Sequence, residues 1–332
     1  MRKIHGLLAA ITFGLAASAS GAVPILYTTD LLHPHADPDD HFDVATLFGM
    51  PEFDLRGVVF DLGPIGKDRP GLVALRQMMH LTGREVPFAT GLVECLASPE
   101  DTGRGQPEQA QRGVGLILRA LAESPEPITV FTTGSLRDVA AALNRNEGLC
   151  RDKIARLYVN AGHSGGEKEY NVEIDPHAYV RVLNSGLPIY LVPCFGVDGY
   201  ESLWQFTHAE ALDDAAPEIQ RFFAYALTKA DPAQQDPIKA LDEPIPDDVR
   251  RGIWQQERRM WCTGAFLHAA GRSCTTCSFR EAGVQVEPSG RTTVGPVGVG
   301  HPMKVFHIDK PGEEYRAEML AALKQALESF KN

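Results

Sequence analysis

A chain of 332 residues, 44% hydrophobic and 23% charged, holds enough apolar material for one large domain or two small ones. Its formal charge of −11, with no basic stripe along the sequence, argues against a nucleic-acid backbone as partner. Six cysteines over this length are too few for a disulfide scaffold.

The N-terminus comes first. Arg2 and Lys3 make a short positive head, Leu7 to Ala17 an uncharged apolar run, and small residues follow as far as Ala22. That order predicts a secretory signal peptide over 1–22, too short to span a bilayer. The mature chain, 23–332, then starts at Val23 and is secreted or periplasmic. No other segment is apolar enough to cross a membrane.

Pro24 to Thr29 is short, apolar and β-prone, and it ends in Asp30. His41 to Gly49 reads as an amphipathic helix, Leu55 to Phe60 as a second buried strand, Leu72 to Leu81 as a helix and Val86 to Phe88 as a brief third strand. Helices over 112–122, 136–143 and 176–185 alternate with strands over 128–132, 155–159 and 187–192. Val-, Ile- and Leu-rich strands separated by helices predict an α/β fold, a mostly parallel sheet with helices on both faces. Ligands in such sheets bind beyond the carboxyl ends of the strands. Asp30 to Asp40, Asp61, Thr133-Gly134, Asn160 to Gly162 and Cys194 are therefore the positions to watch. From 201 to 260 the chain turns mainly helical, with a Pro-rich polar stretch over 231–248, and gives a helical elaboration in the C-terminal half. A helix over 261–270, a hairpin over 284–294, a strand over 304–307 and a helix over 313–330 complete one domain with no internal repeat.

Cys274-Thr-Thr-Cys277 reads first as a structural loop, with a redox pair or half a zinc site as alternatives. In an exported chain a disulfide is expected among Cys262, Cys274 and Cys277, with Cys262 the favoured partner.

The strongest signal is Asp30-Leu-Leu-His-Pro-His-Ala-Asp-Pro-Asp-Asp40. One Asp here would simply cap the following helix. Four in one loop repel each other, and a hard cation such as Ca²⁺ relieves that repulsion.

A strand ending in Asp, a Pro-bearing loop, an Asp-Asp pair and a helix resemble the inosine–uridine nucleoside hydrolase family. Phe53-Asp-Leu-Arg-Gly-Val-Val, Ile128-Thr-Val-Phe-Thr-Thr-Gly-Ser-Leu and Glu169-Tyr-Asn171…Asp175-Pro-His-Ala are similar to its later motifs, in order. The resemblance spans nearly the whole mature chain. It implies a Ca²⁺-dependent hydrolase that cleaves the N-glycosidic bond of ribonucleosides or a related glycoside. Carried over by position, Asp30 is a calcium ligand and the water's general base, Asp40 a second ligand, and Thr133 offers its backbone carbonyl to the metal. Asp39, Glu169 and Asn171 hold the sugar. The loop is about five residues longer than the family's, which leaves Asp37 as the alternative base.

The chain also departs from the family. Asp61 and Pro64 stand near the place of an expected Asn, and Asn160-Ala-Gly-His163 replaces a Gly-Gly segment. The family's His-Asp pair, one member a metal ligand and the other the leaving-group acid, falls at about Met260-Trp261. Glu257 and Asp198 are the candidates to replace the ligand. His33, His35, His41 and His163 are candidate acids, each read first as a bystander, and His268 reads as a core histidine. Tyr170, Trp254 and Trp261 serve either as stacking faces for a base or as core. The alternative to an enzyme is a non-catalytic sugar- or nucleoside-binding protein on the same fold. Either way the partner is a small molecule, and homo-oligomer formation is left open.

Overall fold

The computed structural model describes residues 21–66 and 68–331, so the predicted signal peptide lies outside the described residues except for its last two positions. The first half alternates strand and helix: β1 (Val23–Thr29), α1 (Asp39–Gly49), β2 (Phe53–Phe60), the single turn α2 (Gly63–Gly66), α3 (Leu72–Thr82) and β3 (Phe88–Thr90). Next come α4 (Arg112–Glu123), β4 (Ile128–Thr132), α5 (Arg137–Arg145), α6 (Glu147–Lys153) and β5 (Ile154–Asn160). The short α7 (Tyr170–Glu173), α8 (Pro176–Leu183) and β6 (Ile189–Val192) close the alternating series. The second half holds β7 (Trp204–Thr207), α9 (His208–Leu212), α10 (Pro217–Leu227), α11 (Asp247–Trp254), β8 (Glu257–Met260) and α12 (Thr263–Ala269). It ends with β9 (Cys277–Val286), β10 (Thr292–Gly295), β11 (His301–Ile308) and α13 (Glu313–Glu328).

Nine strands form one sheet in the order β10-β9-β11-β6-β5-β4-β1-β2-β3. Every neighbouring pair from β11 to β3 is parallel, while β9 runs antiparallel to both β11 and β10. The expected mostly parallel sheet, covered on both faces, is what forms. Side-chain alternation shows why: in β1, Ile25 and Tyr27 join one buried cluster and Leu26 joins the other.

Strand order reverses beside β1. The chain runs outward through β2 and β3, then returns to place β4 on the other side of β1. A crevice opens where parallel strands diverge in this way, beyond their carboxyl ends.

Three expectations need correction. α1 is not amphipathic, because every residue from Asp40 to Gly49 is buried, enclosed by β2, α3, β8 and α13. The region expected to be mainly helical, 201 to 260, holds α9, α10 and α11 but also β7 and β8, which pair as a separate antiparallel ribbon with Trp204 opposite Met260. The disulfide joins Cys274 to Cys277, with Cα atoms 5.7 Å apart, and leaves Cys262 a buried free thiol. Among the described residues, no helix is long and apolar enough to cross a membrane.

Candidate functional site

A cavity of about 520 Å³ opens at the strand-order reversal. Asp30 follows β1, Thr133 follows β4, Asn160 ends β5 and Cys194 lies two residues beyond β6, so four adjacent parallel strands each deliver a residue to its lining. Asp37, Asp39 and Asp40 come from the long loop and the first turn of α1, where carboxylates also complement the helix dipole. Glu169, Tyr170, Asn171, Phe195, Trp261 and Cys262 complete most of the remaining wall.

Backbone contacts fix the strand ends. Thr133 N donates to Thr28 O at 2.9 Å and Asp61 N to Thr29 O at 2.7 Å. Gly134 is required here: a Cβ on it would lie 2.8 Å from Asp61 Oδ2 and about as close to the Asp30 backbone nitrogen, at 3.0 Å. Asp61 does not reach the cavity. Its Oδ2 accepts from Ser135 N at 2.6 Å and so holds the turn that presents Thr133.

Asp40 is the anchor. Its Oδ1 meets the hydroxyls of Thr29 at 2.5 Å, Thr133 at 2.7 Å and Tyr27 at 3.0 Å. Burial raises its pKa, and these hydroxyls together with the Asp30 carboxyl hold the rise back. Asp30 and Asp39 keep some surface open to the cavity, yet burial followed by the Asp40 charge pushes both well above the usual carboxylate range. Asp43, one turn further along α1, is fully buried and neither of its oxygens has a hydrogen-bond partner. Burial and then Asp40 raise its pKa too, and the Cys262 thiol is its polar neighbour.

Glu169 caps α7, accepting from Gly162 N at 2.8 Å, Asn171 N at 3.0 Å and Val172 N at 3.3 Å. Burial raises its pKa against the pull of those three donors. Asn171 Nδ2 donates to the Thr133 carbonyl at 3.3 Å, and Asn160 Nδ2 donates to Thr132 O at 3.0 Å. The Oδ1 atoms of both are buried without a partner.

Every predicted site residue, Asp30, Asp37, Asp39, Asp40, Thr133, Glu169 and Asn171, therefore lines one cavity. Asp37 differs from the rest: it sits at the rim, 54% exposed, and pairs with Arg258 Nη1 at 2.5 Å. Neither proposed replacement ligand reaches the cavity lining, since Asp198 is exposed and Glu257 is an exposed end of β8. Among the described residues, no histidine lines it either. His33, His35 and His41 pack behind the loop beside Tyr225 and Phe222, and burial lowers their pKa values and keeps them neutral. His268 accepts or donates at 2.7 Å with the Tyr158 hydroxyl, as a core histidine should. Trp254 is core, whereas Tyr170 and Trp261 are cavity walls.

Sequence reasoning missed Tyr27, Asp43, Phe195 and Cys262 as parts of the site and its support. Only Asp43 left a signal, lying three residues after Asp40 on one helix face.

The donors fit a hard divalent cation. Oxygen ligands dominate, several carboxylates raise one another's pKa, and two amide oxygens are buried without partners. Among the described residues, no three His, Cys, Asp or Glu side chains already form a metal cluster, so neutral oxygens such as the Thr133 carbonyl must supply part of any set.

Known proteins place this architecture. The family model for inosine-uridine preferring nucleoside hydrolase matches residues 32–319, and the chain belongs to that family. Pyrimidine-specific ribonucleoside hydrolase RihA of Citrobacter koseri is 30% identical over 189 residues, which is 51% of this chain and 59% of that protein's length. The Salmonella arizonae protein of the same name is 29% identical over 268 residues, 74% of this chain and 77% of its own. Among solved structures, an inosine-uridine preferring nucleoside hydrolase from Bacillus anthracis aligns with a TM-score of 0.58 and 17% identity over 92% of this chain and all of its own. An inosine-guanosine nucleoside hydrolase reaches 0.61 with 16% identity, over 92% of this chain and 99% of its own. At those identities the structures speak for the fold alone.

Proposed function

We propose that this chain is an exported hydrolase of N-glycosidic bonds in ribonucleosides or a related glycoside, working with Ca²⁺. The observation that carries this reading is the convergence of Asp30, Asp39, Asp40, Thr133 and Asn171 on one cavity at the strand-order reversal. Asp30, Asp40 and the Thr133 carbonyl would hold the cation, assisted by an amide oxygen. What a cation supplies there is neutralisation of the crowded carboxylates and a lower pKa for an attacking water.

The chain's own residues do the rest. Asp30 takes the water's proton, because it lies at the end of β1 beside Asp40 and is open to the cavity. Asp37 is the lesser candidate, since its charge is committed to Arg258 at the rim. Asp39, Glu169 and Asn171 present acceptors and an amide to the sugar hydroxyls. As the bond to the base lengthens, positive charge develops on the sugar, and the surrounding carboxylates stabilise it.

Export is consistent with where the sheet starts. β1 begins at Val23, whose N–H donates to Glu52 O at 2.7 Å, so cleavage after Ala22 removes no strand residue. Intact mass of the exported protein should match a chain starting at Val23, and a retained Met1 would refute cleavage.

The test of function uses p-nitrophenyl riboside with Ca²⁺. Turnover by the wild type that disappears in Asp30→Ala and survives in Asp37→Ala supports the assignment. No turnover, together with measurable ribose or nucleoside binding, would make this a binding protein on the same fold.

A further inference from the structure

Three histidines stand together in the acidic loop and the first turn of α1, and none of them lines the cavity. His33, His35 and His41 are all buried, and five of their six ring nitrogens have no hydrogen-bond partner. A neutral imidazole carries one N–H and one lone pair, and burying either unanswered costs free energy. Packing alone would be served better by leucine or phenylalanine.

The geometry settles one tautomer. His33 Nε2 meets the Ala230 carbonyl at 2.7 Å, and a carbonyl only accepts, so Nε2 carries the proton and Nδ1 the lone pair. A ring that gives one nitrogen to a backbone carbonyl and keeps the other free is oriented as metal-bound histidines are. The Leu227 carbonyl, at the end of α10, stands beside His35 and can orient it in the same way. The rings of His33 and His35 lie 6.2 and 6.0 Å from that of His41, centroid to centroid. Two imidazoles sharing one ion, each nitrogen about 2.0–2.1 Å from it, have centroids about 5–6 Å apart. Among the described residues no three such side chains already meet at bonding distance, so the rings must turn. His33 is held by its backbone N–H, 3.1 Å from Arg69 O, and His41 by its helix, which leaves His35 to make most of that turn.

Charge narrows the choice of ion. The groups facing His35 are cationic, Lys229 and Arg258, of which Lys229 is exposed and Arg258 is paired with Asp37 at 2.5 Å. A hard ion such as Ca²⁺ depends on oxygen donors and negative charge, and gains nothing here. Neutral imidazoles suit a borderline transition ion. We propose that His33, His35 and His41 form a metal site of their own behind the acidic loop, taking a divalent transition ion such as Zn²⁺. The ion bonds two loop residues to one on α1, and so braces the segment that carries Asp37, Asp39 and Asp40. This assignment is independent of the reaction at the cavity.

The test is Zn²⁺ calorimetry on the full chain with Ca²⁺ in excess, so that the acidic cluster is already covered. One Zn²⁺ should bind per chain, and His35→Gln should weaken it by about a hundredfold or more. Asp40→Asn should leave it unchanged, since no carboxylate belongs to the set. Anomalous diffraction from Zn²⁺-soaked wild-type crystals needs no variant, and should place the ion among the three rings. No binding to the folded wild type at about 100 µM Zn²⁺ overturns the proposal. So does affinity that falls in Asp40→Asn and not in His35→Gln, or an ordered water among the rings with the ion elsewhere.

Discussion

Two clusters of buried charge lie within a few residues of each other on this fold, and they are built in opposite ways. Around Arg137, which is 1% exposed, a buried cation faces Asp175 and Asp61, and each guanidinium nitrogen has an acceptor. Its Nε donates to Asp175 Oδ2 at 2.9 Å, Nη1 donates to the Leu92 and Val93 carbonyls, and Nη2 donates to Ile174 O. Burial works against the guanidinium charge, but Asp61 and Asp175 outweigh it and raise the pKa. Around Asp40 the charges are left largely open: Arg258, paired with Asp37 at the rim, eases only Asp39, while Asp30, Asp39 and Asp43 all face the Asp40 charge and both Asp43 oxygens lack partners. A closed web of this kind is scaffold. An open one carries unfavourable free energy that a bound cation or a proton relieves, and that asymmetry separates the working site from equally buried, charged surroundings.

Breaking the closed web should do most damage. Arg137→Met leaves Asp175 and Asp61 buried without their cation, and stability should fall by about 3–5 kcal/mol in denaturant titration. A loss under 1 kcal/mol would mean that the web is not the brace it looks like. The same kind of change in the open cluster should have the reverse effect on stability. Asp40→Asn removes the charge that pushes Asp30, Asp39 and Asp43 upward, so the cation-free protein should gain about 1 kcal/mol. Ca²⁺ affinity measured by calorimetry should drop strongly and turnover should fall about a thousandfold. Equal affinity in variant and wild type would rule out this arrangement.

Much of this contrast could be read in the sequence, and the part that could not has a common cause. The parallel strands were legible because each is a short Val-, Ile- and Leu-rich run between helices, and the acidic loop was legible because four aspartates stand within eleven residues. The web was not, since it joins residues 92, 137 and 175 through contacts with no local pattern. Tyr27 likewise reads as plain core until its hydroxyl meets Asp40, thirteen residues on. The β7–β8 ribbon was missed because Glu257-Arg-Arg-Met260 is short and mostly charged, with little to mark it as a strand. Cys262 looked like a disulfide partner by proximity alone, whereas it packs beside Asp43 on the buried side of the cavity.

pH separates the two clusters more gently. A carboxyl whose pKa is higher in the folded state binds more protons folded than unfolded, so stability falls as pH rises between the unfolded and folded values. Asp138, beside Asp61 and with only Leu92 N as its donor, is pushed up to about 7 by burial. The cation-free protein should therefore lose stability between pH 4 and 7, with Asp30, Asp39 and Asp43 adding to the slope. Asp138→Asn should remove its own share, and Ca²⁺ should remove the share of the open cluster. Thermal unfolding against pH with and without Ca²⁺ checks both, and a flat profile for the cation-free wild type would sink the idea.

Glu169 belongs to both architectures, which makes it the finest test of the distinction. Like Asp175 it is a helix cap, here with three backbone N–H donors, and like Asp39 it faces the cavity. Glu169→Gln keeps one oxygen able to accept but turns an NH₂ group towards backbone donors, so at least one of the three bonds is lost. That should cost about 1 kcal/mol of stability. It should also weaken the grip on the sugar hydroxyls, raising KM by about tenfold with a smaller change in kcat. A fall in stability with KM unchanged would assign Glu169 wholly to the scaffold. A raised KM at unchanged stability would show that its three backbone bonds contribute nothing that the amide cannot replace, and would place it entirely with the open cluster.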